Sequence, residues 1–414
     1  MRLNQTLLSS FLALKPLRCS VTRTVFLLST APNSGRSKPA GGSKMIIGNA
    51  NVYIDGTFRH ASVTIEGDKI VSIGEANIPC DVDAKGKYLV PGFVDVHTHG
   101  AMNEDFSDGK PEGLLKMSRY YAKNGVTSFL ATTMTLEEET LMPAMEIIRD
   151  FERPADGAKC AGIHLEGPFL SYAKRGAQAA KNLHTPDVEM FHRLNTASGN
   201  KVRLVTVAPE EPGAMDFIRA VSQTCTVSLG HTNADYDTAV AAFDAGATHT
   251  THLFNAMAPF THRAPGVIGA AYDKKATAEL ICDGLHIHPS AIRVAHIMFG
   301  KNLVVISDSL RCAGGPDGEY ELGGQPVEMR DGKATLKGSE ILAGSSSNLL
   351  AEVKNLVCFG VALEDAIYAV TAAPAKAVRL DHIGSIEPGK IADLLLLNAD
   401  LELDSVYIDG KKAI

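Results

Sequence analysis

Histidines and acidic residues stand at or just after the ends of predicted β-strands through the middle of the chain. They are His97, His99, Glu166, His231, His252, Asp283, His286 and Asp308. Neutral imidazole and carboxylate groups are good ligands for divalent ions such as zinc, iron, manganese and cobalt. In catalytic sites, three protein ligands commonly hold the ion, which lowers the pKa of a bound water to about 7. The residue types therefore predict a hydrolytic site with one or two divalent metal ions per subunit.

The spacing of His97 and His99 strengthens this interpretation. A single histidine at a strand end is more often an ordinary hydrogen-bonding residue than a ligand, but alternation along an extended strand points both rings to the same side. We interpret His164, His249 and His288 as structural residues or as neighbours of the ligands. Because acids and imidazoles end six of the predicted strands, the pattern favours one shared site over unrelated histidines.

A shared site needs elements that bring these strand ends together. Eight apolar runs alternate with helical patterns, at residues 93–96, 127–131, 161–165, 203–207, 226–229, 247–251, 277–281 and 303–307. Eight strand–helix units around a parallel sheet are what a (β/α)8 TIM barrel needs, and the active sites of that fold lie at the carboxyl ends of its strands. An open, doubly wound sheet is the alternative, although no GxGxxG turn supports it. We therefore expect an α/β protein whose catalytic barrel spans residues 92–379.

Both ends of the chain outside the barrel read as β structure. Short β-branched runs broken by Gly and Asp occur between residues 46 and 90 and return near the C-terminus, which is typical of hairpins. The pentapeptide VYIDG occurs at 52–56 and again at 406–410. We predict that residues 45–91 and 380–414 together form one small β-sandwich domain.

The first 44 residues differ from the rest of the chain. They contain seven basic residues and no Asp or Glu, with many Ser and Thr. This composition is typical of an organellar transit peptide, and the alternatives are a disordered extension or translation that starts at Met45. The predicted location is therefore cytoplasmic, or mitochondrial if the leader works as a transit peptide.

Overall composition excludes several classes of protein. The chain has 414 residues, a formal net charge of -7 and 45% hydrophobic residues, which argues against a nucleic-acid partner and is ordinary for a globular enzyme. No apolar run approaches the ~20 residues of a membrane span, so no membrane partner is expected. The seven cysteines are scattered without a CxxC pair, which favours free thiols over disulfides or a zinc–thiolate site.

Several of these segments are familiar as a set. PGFVDVHTHG (91–100), HLEGPF (164–169), LGHT (229–232), HLFNAM (252–257), DGLHIHP (283–289) and SDS (307–309) together resemble the N-acetylglucosamine-6-phosphate deacetylase family, from about residue 45 to the C-terminus. The resemblance implies a metal-dependent amidohydrolase barrel. It also implies hydrolysis of the acetamide of N-acetyl-D-glucosamine 6-phosphate, which yields D-glucosamine 6-phosphate and acetate.

The same resemblance implies roles for individual residues. Glu166, His231 and His252 would hold the principal metal, whose hydroxide attacks the acetyl carbonyl. Asp308 would be the general base and then the acid, and His286 would polarise the carbonyl. Asn255, Ala256 and Arg263 would meet the sugar phosphate, and further substrate contacts would come from Ala177, Leu342, Ala343 and Gly344.

Alternatives stay open for the number of metal ions and for the exact function. His97 and His99 are retained, so a second metal can be bridged through Glu166, and we expect one tight site with a second of lower occupancy; a single ion is the alternative. The family resemblance implies a homodimer. The competing functions are another amidohydrolase, such as a cyclic amidase or a deaminase, and a non-catalytic scaffold on the same fold.

Overall fold

The structure is a computed structural model, and it describes residues 43–414. The leader predicted for residues 1–44 lies outside the described residues except at its last two positions. The compartment prediction that depends on this leader therefore stays a prediction.

The described chain contains strands and helices in the following order. The strands are β1 (Lys44–Ile54), β2 (Thr57–Glu66), β3 (Lys69–Gly74), β4 (Val82–Asp83), β5 (Tyr88–Pro91), β6 (Phe93–Thr98), β7 (Gly100–Ala101), β8 (Glu104–Asp105), β9 (Val126–Thr132), β10 (Lys159–Glu166), β11 (Val202–Val207), β12 (Thr226–Leu229), β13 (His249–Thr250), β14 (Thr277–Ile281), β15 (Leu303–Ile306), β16 (Gly318–Leu322), β17 (Gln325–Arg330), β18 (Lys333–Leu336), β19 (Leu394–Leu397), β20 (Leu403–Ile408) and β21 (Lys411–Lys412). The α-helices are α1 (Pro111–Lys123), α2 (Glu138–Arg149), α3 (Val188–Ala197), α4 (Ala214–Val221), α5 (Tyr236–Ala245), α6 (Gly266–Asp273), α7 (Pro289–Phe299), α8 (Leu349–Cys358), α9 (Leu363–Val370) and α10 (Ala372–Ala377). Four 3-10 turns complete the set at Phe106–Asp108, Tyr172–Lys174, Ala180–Asn182 and Gly300–Asn302.

Eight parallel strands form the central sheet in the order β6, β9, β10, β11, β12, β13, β14, β15. A parallel bridge between Thr98 and Ser309 joins the first and last strands, and α10 packs against both of them. The sheet thus closes into the predicted (β/α)8 barrel, and the open doubly wound alternative is wrong. Each of the eight predicted runs contributes one barrel strand, so all active-site candidates lie at one end of the barrel.

A second sheet combines both ends of the described chain, in the order β21, β20, β19, β5, β1, β2, β3 with β4 beside β1. Its core contains residues from both ends, such as Val52 and Leu396. In both copies of VYIDG, the Asp and Gly have positive φ angles, at Asp55, Gly56, Asp409 and Gly410. Two such residues form the tight hairpin turn that matches strand twist, so the repeat encodes two equivalent strand ends. The domain boundaries at 91/92 and 379/380 stay a prediction.

A third sheet, β16 to β18, lies between β15 and α8 and was not expected from the sequence. Its apolar side chains, including Leu322 and Val327, cluster with Met134 and Leu310 near the carboxyl ends of the barrel strands. Its turns at 323–324 and 331–332 both have positive φ angles, so the GG and DG pairs there are hairpin signals in the sequence. The insertion therefore adds a wall at the active-site end.

Two further predictions concern the described part of the chain as a whole. Six of the seven cysteines lie within residues 43–414, and all six are free thiols. No helix between residues 43 and 414 has the length and the apolar character needed to span a bilayer.

Candidate active site

Three predicted metal ligands meet where strands β10, β12 and β13 end. Nε2 of His252 lies 3.0 Å from Oε1 of Glu166, and Nε2 of His231 lies 3.2 Å from the same oxygen. The two imidazole Nε2 atoms are 3.0 Å apart. All three side chains are buried. Residues that are far apart in the sequence thus form one compact group of donor atoms.

A second group of donors adjoins the first at the carboxylate of Glu166. Nε2 of His99 lies 3.3 Å from Glu166 Oε2, and Nε2 of His97 lies 3.4 Å from Glu166 Oε1. Both of these Nε2 atoms are 3.4 Å from Oδ1 of Asp308. Glu166 therefore stands between the two groups, and Asp308 faces the second.

The chemistry of these donors fits divalent cations. Nε2 atoms of neighbouring rings approach to 3.0 Å (His231 and His252) and 3.3 Å (His97 and His99). Lone pairs at such distances repel unless a proton or a cation lies between them. Glu166 is also buried, and none of the salt bridges in the described part of the chain joins it to Lys or Arg. Because a buried charge is costly unless it is paired, the two groups could each hold a metal ion.

The site strongly attracts positive charge. Burial alone would lower the pKa of His97, but the carboxylates of Asp308 and Glu279 outweigh it, so the pKa is raised well above its usual value. Burial alone would raise the pKa of Glu166, but His97 and His231 outweigh it and hold the pKa well below its usual value. For Asp308, His97 and His99 likewise overcome burial and lower the pKa. Both acids are therefore ionised at neutral pH, as a cation ligand or a proton acceptor must be.

The backbone at these positions adopts a conformation that side chains rarely allow. The φ angles of His231, His252 and Asp308 are 47°, 29° and 48°, in the left-handed region. Such residues cost on the order of 1–3 kcal/mol each and persist where neighbours hold them. For Asp308, its own N–H donates to the carbonyl of His97 (2.9 Å), and its carbonyl accepts the N–H of Ser345 (2.8 Å). The strands thus end in turns that direct these side chains into one space.

His286 follows β14 and is held by Asp283. One carboxylate oxygen of Asp283 accepts the backbone N–H groups of Leu285 and His286, at 2.8 and 2.9 Å. The other lies 2.7 Å from Nδ1 of His286. Burial would raise the pKa of Asp283, but His286 outweighs it and the pKa is lowered. With Nδ1–H donated to this carboxylate, Nε2 of His286 is left for the cavity.

A cavity of about 310 Å³ opens over these groups, a volume at the lower end of the range typical for small-molecule sites. Its lining includes most of the predicted site residues: His99, Glu166, Ala177, His231, His252, Asn255, Ala256, His286, Asp308, Leu342 and Gly344. The insertion adds Leu322 to the wall. The space is therefore bounded by metal-ligand candidates at one end and by loops at the other.

Three predicted residues do not line this cavity. His97 is fully buried behind His99, and Ala343 is fully buried beside Leu342 and Gly344. Arg263 is exposed in the loop between β13 and α6. No Lys or Arg of the described chain lines the cavity, so any charged donor to a phosphate must come from outside the cavity lining, as Arg263 would.

Two residues beside the site were not predicted. Gln178 lines the cavity, and its amide donates to Oε2 of Glu166 at 2.8 Å. Glu279 contacts His97 and is completely buried on β14. A charged residue inside an apolar strand (TAELI) was a usable signal for Glu279, because Glu is almost never fully buried unless it is paired. For Gln178 the sequence offers no comparable signal.

The chain is similar to known proteins along most of its length. Residues 88–413 match the model of the Amidohydrolase family. An N-acetylglucosamine-6-phosphate deacetylase of Vibrio furnissii is 36% identical over 328 residues, which cover 78% of this chain and 82% of the relative. An N-acetylgalactosamine-6-phosphate deacetylase of Escherichia coli O157:H7 is 36% identical over 343 residues, which cover 81% of this chain and 90% of the relative.

A solved structure extends the similarity to three dimensions. It is a mutant N-acetyl-D-glucosamine-6-phosphate deacetylase from Mycobacterium smegmatis in complex with N-acetyl-D-glucosamine-6-phosphate. The TM-score is 0.85 at 31% sequence identity, and the match covers 90% of this chain and 100% of the other.

Proposed function

The chain belongs to the amidohydrolase family, and on this basis we propose that it is an N-acetylglucosamine-6-phosphate deacetylase. It hydrolyses the acetamide of N-acetyl-D-glucosamine 6-phosphate to D-glucosamine 6-phosphate and acetate. The observation that carries the proposal is the meeting of Glu166, His231 and His252 within 3.2 Å of one another, with Asp308 beside them in one cavity.

We assign the principal divalent cation to Glu166, His231 and His252, and a second one to His97 and His99 with Glu166 as the shared ligand. Zinc, iron, manganese and cobalt all suit imidazole and carboxylate donors. When bound, the cation supplies an acidified water and polarises the acetyl carbonyl. The distances from Glu166 Oε1 and Oε2 to the two groups support the shared role.

In this scheme Asp308 carries the proton transfers, and His286 stabilises the charge that develops on the carbonyl oxygen. The ionised Asp308 takes the proton from the attacking water and then delivers it to the departing amine nitrogen. With a proton on each ring nitrogen, His286 donates through Nδ1–H to Asp283 and through Nε2–H to the carbonyl oxygen, where negative charge develops. Replacement of Asp308 removes the proton acceptor and replacement of His286 removes the oxyanion donor, so the two variants should differ in their kinetics.

We assign the phosphate to Asn255, Ala256 and Arg263. Asn255 and Ala256 lie on the loop that follows β13, and both line the cavity. Arg263 supplies the planar fork that binds phosphate oxygens well. Ala177, Leu342 and Gly344 contact the sugar from the opposite wall, and Ala343 contributes its backbone; this remote binding orients the amide for attack.

We further propose that the protein works as a homodimer. Ile297 and Val294 lie three residues apart on α7 and are 80% and 52% exposed, so they form a small apolar patch on one helix face. A second copy would cover them and could reach the phosphate from outside the cavity. Sedimentation of the full chain should give twice the monomer mass, and a monomer that retains full activity would refute this part.

The compartment follows from the leader. We propose that the protein is mitochondrial when translation starts at Met1 and cytoplasmic when it starts at Met45. Imaging of the full chain and of a chain starting at Met45, each with a C-terminal fluorescent fusion, tests this. The same pattern for both would remove the targeting role from the leader.

The decisive experiment measures acetate release from N-acetylglucosamine 6-phosphate by the full chain, with and without a chelator. We expect turnover that a chelator removes and added metal restores. N-acetylgalactosamine 6-phosphate should be assayed as a second compound, because the name of one relative gives that deacetylase activity. Ammonia release from cyclic amides or bases would favour another amidohydrolase, and a metal-free, inactive oligomer would favour a scaffold.

A further inference from the structure

We propose that Glu279 is a positioning residue that orients ligands of both metal sites at once. It lies on β14, it is completely buried, and it does not line the cavity. The inference rests on the metal assignment made above and extends it to a residue that touches no substrate. Three donors converge on its carboxylate, from His97, His249 and His252.

The first of these contacts fixes the ring of His97. Nδ1 of His97 lies 2.9 Å from Oε2 of Glu279. A carboxylate only accepts, so Nδ1 must carry a proton, and in the neutral ring that binds a cation the lone pair is on Nε2. Nε2 is the atom that faces Glu166 and Asp308 at 3.4 Å. Glu279 therefore selects the tautomer of His97 that can bind a cation at the second site.

The second contact fixes the main chain of His252, a ligand of the first site. The backbone N–H of His252 donates to the same Oε2 at 3.1 Å. The next N–H, from Leu253, donates to the backbone carbonyl of Glu279 at 2.8 Å. These bonds hold the turn in which His252 has its strained φ of 29°. One carboxylate oxygen thus supports ligands on both sides of Glu166.

The third contact anchors the carboxylate from behind. Nε2 of His249 lies 3.1 Å from Oε1 of Glu279, and Nδ1 of His249 lies 2.5 Å from the hydroxyl of Thr277. His249 is also completely buried. Because Oε1 is held by His249, Oε2 cannot rotate away from His97 and His252. This kind of outer support typically changes metal affinity 10- to 100-fold when it is removed.

Two conservative variants separate positioning from charge. Glu279→Asp keeps the charge but withdraws the carboxylate by about 1.5 Å, one carbon–carbon bond, so it no longer reaches His97 and His252. Glu279→Gln loses the charge but keeps the reach, because its carbonyl oxygen can still accept both N–H groups. If Glu279 acts by positioning the ligands, Glu279→Asp must bind metal more weakly than Glu279→Gln.

The experiment measures zinc affinity and stoichiometry of the full chain by chelator competition, together with the visible spectrum of the cobalt-loaded protein. We expect Glu279→Asp to weaken the tighter site about 10- to 100-fold, to lose the second ion and to shift the cobalt bands. Glu279→Gln should show a smaller loss on each measure. Circular dichroism confirms that each variant is folded.

The matched control is Glu352→Asp, the same change at another completely buried glutamate. None of the hydrogen bonds and ion pairs between residues 43 and 414 joins Glu352 to a ligand histidine. The zinc affinity of the Glu352→Asp variant should therefore equal that of the wild type. Two results would overturn the proposal: wild-type affinity in folded Glu279→Asp, or a greater loss in Glu279→Gln than in Glu279→Asp. A wild-type chain that binds no metal would instead refute the metal assignment itself.

Discussion

Replacement of Asp308 by asparagine tests the proton-transfer role most directly. The amide has almost the same size as the carboxylate, and the backbone of residue 308 is held by hydrogen bonds to His97 and Ser345, so the side chain should keep its place. It keeps an oxygen near the ligand histidines but can no longer accept a proton from water. The other carboxylates that line the described cavity are Glu166, which we assign to the cation, and Glu340, which is exposed.

The expected loss follows from what general acid–base catalysis contributes. Positioned proton transfer accelerates reactions about 10²- to 10⁴-fold, and each tenfold corresponds to about 1.36 kcal/mol of activation free energy. Because neither remaining carboxylate can replace Asp308, we expect kcat to fall within that range, or by about 2.7–5.4 kcal/mol. Metal content should stay at the wild-type value.

The assay is acetate release at saturating N-acetylglucosamine 6-phosphate, with metal content measured on the same sample. The control is Asp393→Asn, which changes a buried carboxylate paired with Lys159 near the other end of the barrel and should leave kcat within about twofold. Turnover within tenfold of the wild type, at full metal content, would show that Asp308 is not the proton acceptor.

Three further predictions concern the phosphate, the metal and a buried acid. Arg263→Ala should lower kcat/KM about 10- to 100-fold for the phosphorylated sugar, as expected for a charge-assisted contact of about 1.5–3 kcal/mol, and should leave unphosphorylated N-acetylglucosamine unaffected; equal losses would place the phosphate elsewhere. Chelation should abolish acetate release and lower the midpoint of thermal unfolding, because a ligand at 100 times its Kd stabilises the folded state by about 2.7 kcal/mol; an unchanged midpoint would argue against tight metal binding. Burial raises the pKa of Glu352 well above its usual value, so the folded chain keeps a proton that the unfolded chain releases. The contribution of Glu352 to the free energy of unfolding should therefore decline by up to about 1.4 kcal/mol per pH unit as pH rises above about 4.5, the pKa of this group in the unfolded chain. Denaturant unfolding of Glu352→Gln at several pH values should lack this decline.

Much of the fold could be predicted because its signals are local. Each barrel strand is an apolar run between polar turns, and the repeated VYIDG marks two equivalent hairpins. The insertion of β16 to β18 was missed although its GG and DG turns were visible. What the sequence could not show is where Leu322 and Val327 pack, and hence that these short strands form a wall at the active-site end.

The candidate ligands could also be recognised by type and position. His231, His252 and Asp308 were expected at strand ends, and the structure places them there. The support behind them was recognisable only in part, since Glu279 stands out as a charged residue in an apolar strand, whereas Gln178 gives no comparable signal. Arg263 shows the opposite case, because a residue that the resemblance implied lies in an exposed loop outside the cavity.

Sequence alone determined the chemistry that this chain can perform, because imidazole, carboxylate and guanidinium groups carry their reactivity with them. It also determined the barrel strands, since the alternation of apolar runs and turn residues is a local property. Tertiary structure decided which groups lie close enough to share a proton, an oxygen or a cation. Those relations depend on separations of about 3 Å between atoms that lie 21 to 182 residues apart in the chain, and barrel closure alone sets such distances.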